Sequence, residues 1–151
     1  MANETVRDIL DRVREFHRDL AGYYEALEGV TGKERLRMVL EYLARHEERV
    51  DECIGRYESE AGEGVLGTWY KGAPATEWKA LSRDLTLTSE MTVTDVLRQV
   101  LRFQESLAAL YSDLAERAPS AETRDLFSEL LLLERTEEHN VVRDTIEMED
   151  L

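Results

Sequence analysis

Apolar residues recur at every third or fourth position in four long segments of the chain, the spacing that lines one face of a helix. The first segment covers about residues 5–28, with Val6, Ile9, Leu10, Val13, Phe16, Leu20, Tyr24 and Leu27 on one stripe and Gly29 as its stop. The second begins at Thr31, where Thr31-Gly32-Lys33-Glu34 reads as a capping box. It carries Leu36, Val39, Leu40, Leu43, Val50, Ile54 and Tyr57, and ends near Gly62-Glu63-Gly64. The third opens at Thr92 with Val93, Val96, Leu97, Val100, Phe103, Leu107, Tyr111 and Leu114. Pro119-Ser120 closes it and caps the fourth, which shows Leu126, Phe127, Leu130, Val141 and Ile146. No segment reads as a strand, so a glycine-rich phosphate loop following a strand is not expected.

Links of two or three residues within each pair predict antiparallel neighbours. Between the pairs lies a connector at about residues 61–91. A helix of 25 residues is about 38 Å long, and an extended chain reaches about 3.3 Å per residue. The connector can therefore run back along the whole bundle, with Trp69, Tyr70 and Trp78 pinning it and a short helix over 76–85. The prediction is one all-α domain over 1–151: a hairpin at 5–60, a crossover, and a hairpin at 92–148.

The two hairpins resemble each other. Residues 5–60 align without gaps on 92–147, and 15 of the 56 positions are identical, against roughly three by chance. The matches include Thr5/Thr92, Asp8/Asp95, Phe16/Phe103, Tyr24/Tyr111, Leu43/Leu130 and Glu47/Glu134. A duplicated helical hairpin is the expectation.

Each apolar stripe is broken once. His17 stands between Leu10 and Tyr24, Glu47 between Leu40 and Ile54, Gln104 between Leu97 and Tyr111, and Glu134 between Phe127 and Val141. The repeat pairs His17 with Gln104 and Glu47 with Glu134. In each hairpin the two members are equidistant from the turn, so the four side chains should meet in one layer. Buried carboxylates demand metal ligation, a shared proton or a cationic partner. Tyr24 and Tyr111 should be core residues with satisfied hydroxyls.

Charge and composition narrow the function. Nineteen Lys and Arg against 33 Asp and Glu give 19 − 33 = −14, which disfavours nucleic acid and anionic membrane as partners. No apolar run approaches a membrane span, and the start MANETVRDIL lacks a signal core, so a cytoplasmic protein is expected. The lone Cys53 excludes an internal disulfide and any multi-cysteine metal site, and is read as a packing residue. A homodimer is plausible for such a bundle.

Paired hairpins, a long crossover, mid-bundle carboxylates and the segment Leu43-Ala44-x-x-Glu47 resemble the ferritin-like superfamily, rubrerythrin-type members included. The resemblance implies an up-down-down-up four-helix bundle. It also implies a di-metal site built from a Glu on helices one and three and a Glu-x-x-His on helices two and four. Carried over, Glu47 and Glu134 match, but Val50 and Glu137 stand at the histidine positions, and His17 and Gln104 at the other two glutamates. Candidate ligands are therefore Glu47, Glu134, His17, Gln104 and Glu137, flanked by His46, Glu105, Glu138 and His139. With two or three negative charges, a mononuclear or atypical di-metal Fe, Mn or Zn site is chemically open. Three functions follow: a degenerate bundle acting as a non-catalytic interaction or regulatory module; a metal protein with oxidase, peroxide-reducing or metal-handling activity; and a carrier of a small organic ligand. The departures from the motif favour the first.

Overall fold

The computed structural model describes residues 4–71, 81, 83 and 85–149. Four long helices dominate them: α1 (Val6–Glu28), α2 (Glu34–Glu60), α4 (Val93–Glu116) and α5 (Ala121–Glu149). One turn of helix, α3 (Glu63–Leu66), lies in the connector. Two short strands, β1 (Glu4–Thr5) and β2 (Trp69–Tyr70), pair antiparallel with Glu4 opposite Tyr70. Among the described residues that pairing is the one departure from an all-helical reading. It arises because extended Thr5, needed as a helix cap, offers backbone groups to the passing connector.

Helix starts follow local chemistry. Thr5 Oγ1 accepts the Asp8 N–H at 3.2 Å, and Asp8 Oδ2 accepts the Thr5 N–H at 3.1 Å, a complete capping box. Thr92 accepts the Asp95 N–H at 3.1 Å in the same way, and Ser120 Oγ accepts the Thr123 N–H at 3.1 Å ahead of α5. The box expected at Thr31 does not form. Lys33 is the N-cap and has no side-chain cap, because the Thr31 hydroxyl instead donates to Ser89 O at 2.9 Å and accepts the Lys33 N–H. The links are also longer than expected: residues 29–33 separate α1 from α2, and residues 117–120 separate α4 from α5.

Ion pairs set the direction of the first two helices. Arg14 meets Asp51 at 2.8 Å and Glu58 at 3.7 Å, and Arg18 meets Asp51 at 3.1 Å. His17 lies against Glu47, nearer the turn on both helices. Numbers rise on α1 as they fall on α2, so the pair is antiparallel. Gly55 makes room for this contact: a Cβ there would come within 2.9 Å of the Arg14 guanidinium carbon.

All four long helices feed one core that includes Leu10, Leu40, Val100 and Phe127. Each such side chain stabilises the fold by about 1.5–3 kcal/mol. Described parts of the connector touch both ends of α1. At one end Trp69 and Tyr70 pair with the strand before α1. At the other, Tyr23 Oη near the end of α1 donates to Leu87 O at 3.0 Å and accepts the Leu87 N–H at 3.1 Å.

Of the expected aromatic pins, Tyr70 is one: it is buried, its hydroxyl donates to Leu114 O at 2.6 Å, and its ring meets Phe127 edge-on at 5.7 Å. Trp69 is not, being 63% exposed, because the alternation of β2 turns it outward. Trp78 and most of the helix expected over 76–85 lie outside the described residues. Ile146, read as core, is 55% exposed. Tyr70→Phe should lower stability by about 1 kcal/mol, since it leaves a buried carbonyl without its donor. Urea unfolding would register this as a lower midpoint, and an unchanged midpoint would show that the bond contributes nothing.

Candidate functional site

Five polar side chains meet deep in the core where their helices would otherwise present hydrophobes. His17 comes from α1, His46 and Glu47 from α2, Gln104 from α4 and Glu134 from α5, and all five are buried. Their stripes explain the placement. His17 and Gln104 each lie one heptad before a buried tyrosine, Tyr24 and Tyr111.

Two contacts organise the layer. His17 Nδ1 is hydrogen-bonded to Glu47 Oε2. Gln104 Nε2 lies 3.3 Å from His46 Nε2. An amide nitrogen only donates, so His46 Nε2 accepts and, in the neutral ring, the proton sits on Nδ1. That nitrogen lies 3.2 Å from Glu137 Oε2, within ion-pair reach but without a well-formed hydrogen bond. Besides His46 Nδ1, four buried atoms here have no hydrogen-bond partner among the described residues: His17 Nε2, Gln104 Oε1 and the Tyr24 and Tyr111 hydroxyls. The expectation of satisfied tyrosine hydroxyls therefore fails. Each hydroxyl follows its ring into the apolar stripe, where no partner among the described residues stands within bonding distance.

Burial and charge oppose one another throughout. Burial pushes the Glu134 carboxyl up to about 7; His17 and His46 pull it down, while Glu47 and Glu137 push it further up. Burial alone would lower His17, but the charge and hydrogen bond of Glu47, helped by Glu134, carry it above its ordinary value. Contact with His46, outweighing burial, holds Glu137 below the usual carboxylate range. Burial lifts Tyr24 and Tyr111 well above the ordinary phenol, aided by Glu47 at Tyr24 and by Glu134 and Glu47 at Tyr111. Both hydroxyls are neutral. A layer with Glu134 raised to about 7 beside a histidine raised above its ordinary value can hold a proton that solvent does not reach.

The expected residues fall into three groups. His17, Glu47, Gln104 and Glu134 enter the layer, although Gln104 pairs with His46 rather than with Glu134. Glu137 sits at its half-buried edge. Glu105 and His139 are exposed and stand outside it, as does Glu138, whose carboxyl is raised by burial and by the charge of Glu105. His46, taken as a flanking residue, is fully part of the layer. The signal was available, because Leu36, Val39, Leu43, His46 and Val50 form a stripe of their own at alternating three- and four-residue steps.

The donor set does not fit a preformed di-metal centre. Among the described residues no three His, Cys, Asp or Glu side chains converge to hold a metal ion. Val50, at one histidine position, is buried and apolar. Glu137, at the other, turns to His46. No family model, curated protein or solved structure matches this chain. Among the described residues, no helix is long and apolar enough to cross a membrane.

Proposed function

We propose that the chain is a ferritin-like up-down-down-up bundle, made of two copies of one helical hairpin, that serves as a non-catalytic interaction or regulatory module. In this reading its mid-bundle metal motif has become a hydrogen-bonded polar layer. The observation that carries it is the buried His17–Glu47 bond. It joins two side chains that a metal would have to share, and so pairs His17 Nδ1 with the Glu47 carboxylate without an ion. A buried polar group that must find its one partner also fixes helix register, the best-attested use of such groups.

Several features support the topology. Described residues of the connector contact both ends of α1, and Tyr70 ties the start of α1 to Leu114 near the end of α4. Those contacts suit an α4 running opposite to α1. The matching Thr–Asp caps of α1 and α4 suit a duplication. For an interaction surface, α5 offers Leu132 at 67% and Ile146 at 55% exposure, two heptads apart on one stripe.

A second reading keeps the metal. His17 Nε2 and Gln104 Oε1 are buried and unpartnered, and with Glu47 and Glu134 they could supply one Fe, Mn or Zn ion after small side-chain rotations. Anaerobic loading with Fe(II), Mn(II) or Zn(II), desalting and elemental analysis separates the two. On the first reading, wild type and Glu47→Gln/Glu134→Gln both emerge without metal. Near-stoichiometric metal that disappears in the double variant would replace it with the second.

A further inference from the structure

A pocket of about 490 Å³ opens between the connector and the first three turns of α4. Its lining includes Arg83, Arg98 and Arg102, with Asp95 as the one acid. Three guanidinium groups and one carboxylate leave a local balance of +2 among the described residues, in a chain whose net charge is −14. Asp95 reaches Arg98 only at 3.7 Å, and neither Arg83 nor Arg102 has an ion-pair partner among the described residues. Gathering like charges without a structural partner costs folding energy that the scaffold does not need.

The wall of this pocket is built rather than incidental. Gln99 Oε1 accepts the Thr86 N–H at 2.7 Å, and Gln99 Nε2 donates to Thr86 O at 3.0 Å. This two-bond clamp holds the connector strand-like against α4. Tyr23 holds Leu87 at both backbone groups, and Thr31 and Lys33 hold the carbonyls of Ser89 and Glu90. The clamp uses up the amide of Gln99, so the charged donors of the lining are Arg83, Arg98 and Arg102. Arg98 and Arg102 are one turn apart on α4, so their forks approach the same space.

We infer that this pocket binds a small soluble polyanion bearing phosphate or pyrophosphate, gripped by Arg83, Arg98 and Arg102. Planar guanidinium forks meet phosphate oxygens two at a time. The volume lies in the range of small-molecule sites. Screening over about 8 Å at physiological salt confines the attraction to the pocket and mutes the negative remainder of the chain. An extended anionic surface would meet that remainder directly, which favours a small ligand over a membrane. This inference is independent of the polar layer in the core.

Calorimetric titration with inorganic pyrophosphate tests it. Saturable one-to-one binding is expected, weakening several-fold between about 50 and 200 mM salt. Arg98→Gln/Arg102→Gln should weaken it at least tenfold while the thermal unfolding curve stays unchanged, and Arg83→Gln should weaken it less. Arg45→Gln, on α2, should leave it intact. The inference is overturned by any of three results: no saturable binding, an undiminished affinity in the double variant, or an equal loss in Arg45→Gln. Binding to vesicles containing phosphoinositide without binding to pyrophosphate would overturn it in favour of a lipid surface.

Discussion

Glu134→Gln should make the protein more stable at pH 8 and change it little at pH 5. The Glu134 carboxyl is raised by burial from 4.5 to about 7, so the native state holds its proton more tightly than the unfolded chain does. Stability from this group is present below its ordinary value and is lost as pH rises through about 7. The shift corresponds to a loss on the order of 3 kcal/mol. Glutamine has nearly the shape of the protonated acid and cannot ionise, so the loss disappears. In a chain of this size the variant should melt roughly 5–10 °C higher than wild type at pH 8. His17, also raised, gives wild type a slope of the same sign, because its stabilisation is complete below 6.5 and lost above its folded value. Asp51 and Glu137 are held low and act oppositely: their contribution is present above the ordinary carboxylate range and fades in stronger acid. Wild type should therefore be most stable near pH 5. Thermal melts of both proteins from pH 4 to 9 read this directly. A variant less stable than wild type at pH 8 would mean that Glu134 is ionised and firmly paired.

Breaking the His17–Glu47 pair should be the most damaging single change in the core. Either His17→Ala or Glu47→Ala strands the surviving partner in an apolar interior, at about 3–5 kcal/mol. Replacing both with leucine removes the stranded group, and much of the loss should return. Urea unfolding of the two single variants, the double leucine variant and wild type reads the coupling. Losses that simply add would show that the two side chains do not act as a pair.

Much of the scaffold can be read from residue order alone. The stripes of α1 and α4 and the Thr5 and Thr92 caps depend on neighbours three or four residues away. So does the break in each stripe at His17, Glu47, Gln104 and Glu134. What could not be read depends on distant partners. The Thr31 hydroxyl leaves its own helix for Ser89 O, a bond set by the path of the connector. Trp69 faces solvent because β2 must pair with β1. Gln104 finds His46 across the core rather than the residue that turn symmetry suggests. Spacing ranks residues by face, and at Glu47 the face is wide enough to admit His46 beside it.

The ion pairs between α1 and α2 have a consequence for how the molecule opens. Arg18 and Asp51 fasten the first hairpin. Eighty-seven residues on, the corresponding positions are Glu105 and Glu138, where acid faces acid and Glu138 resists ionisation. The same two places thus carry an attraction in one half of the chain and a repulsion in the other. Partial unfolding need not be symmetric in such a molecule. Amide hydrogen exchange should find the half with α4 and α5 opening first, and more readily as pH rises, ahead of the latched α1–α2 half.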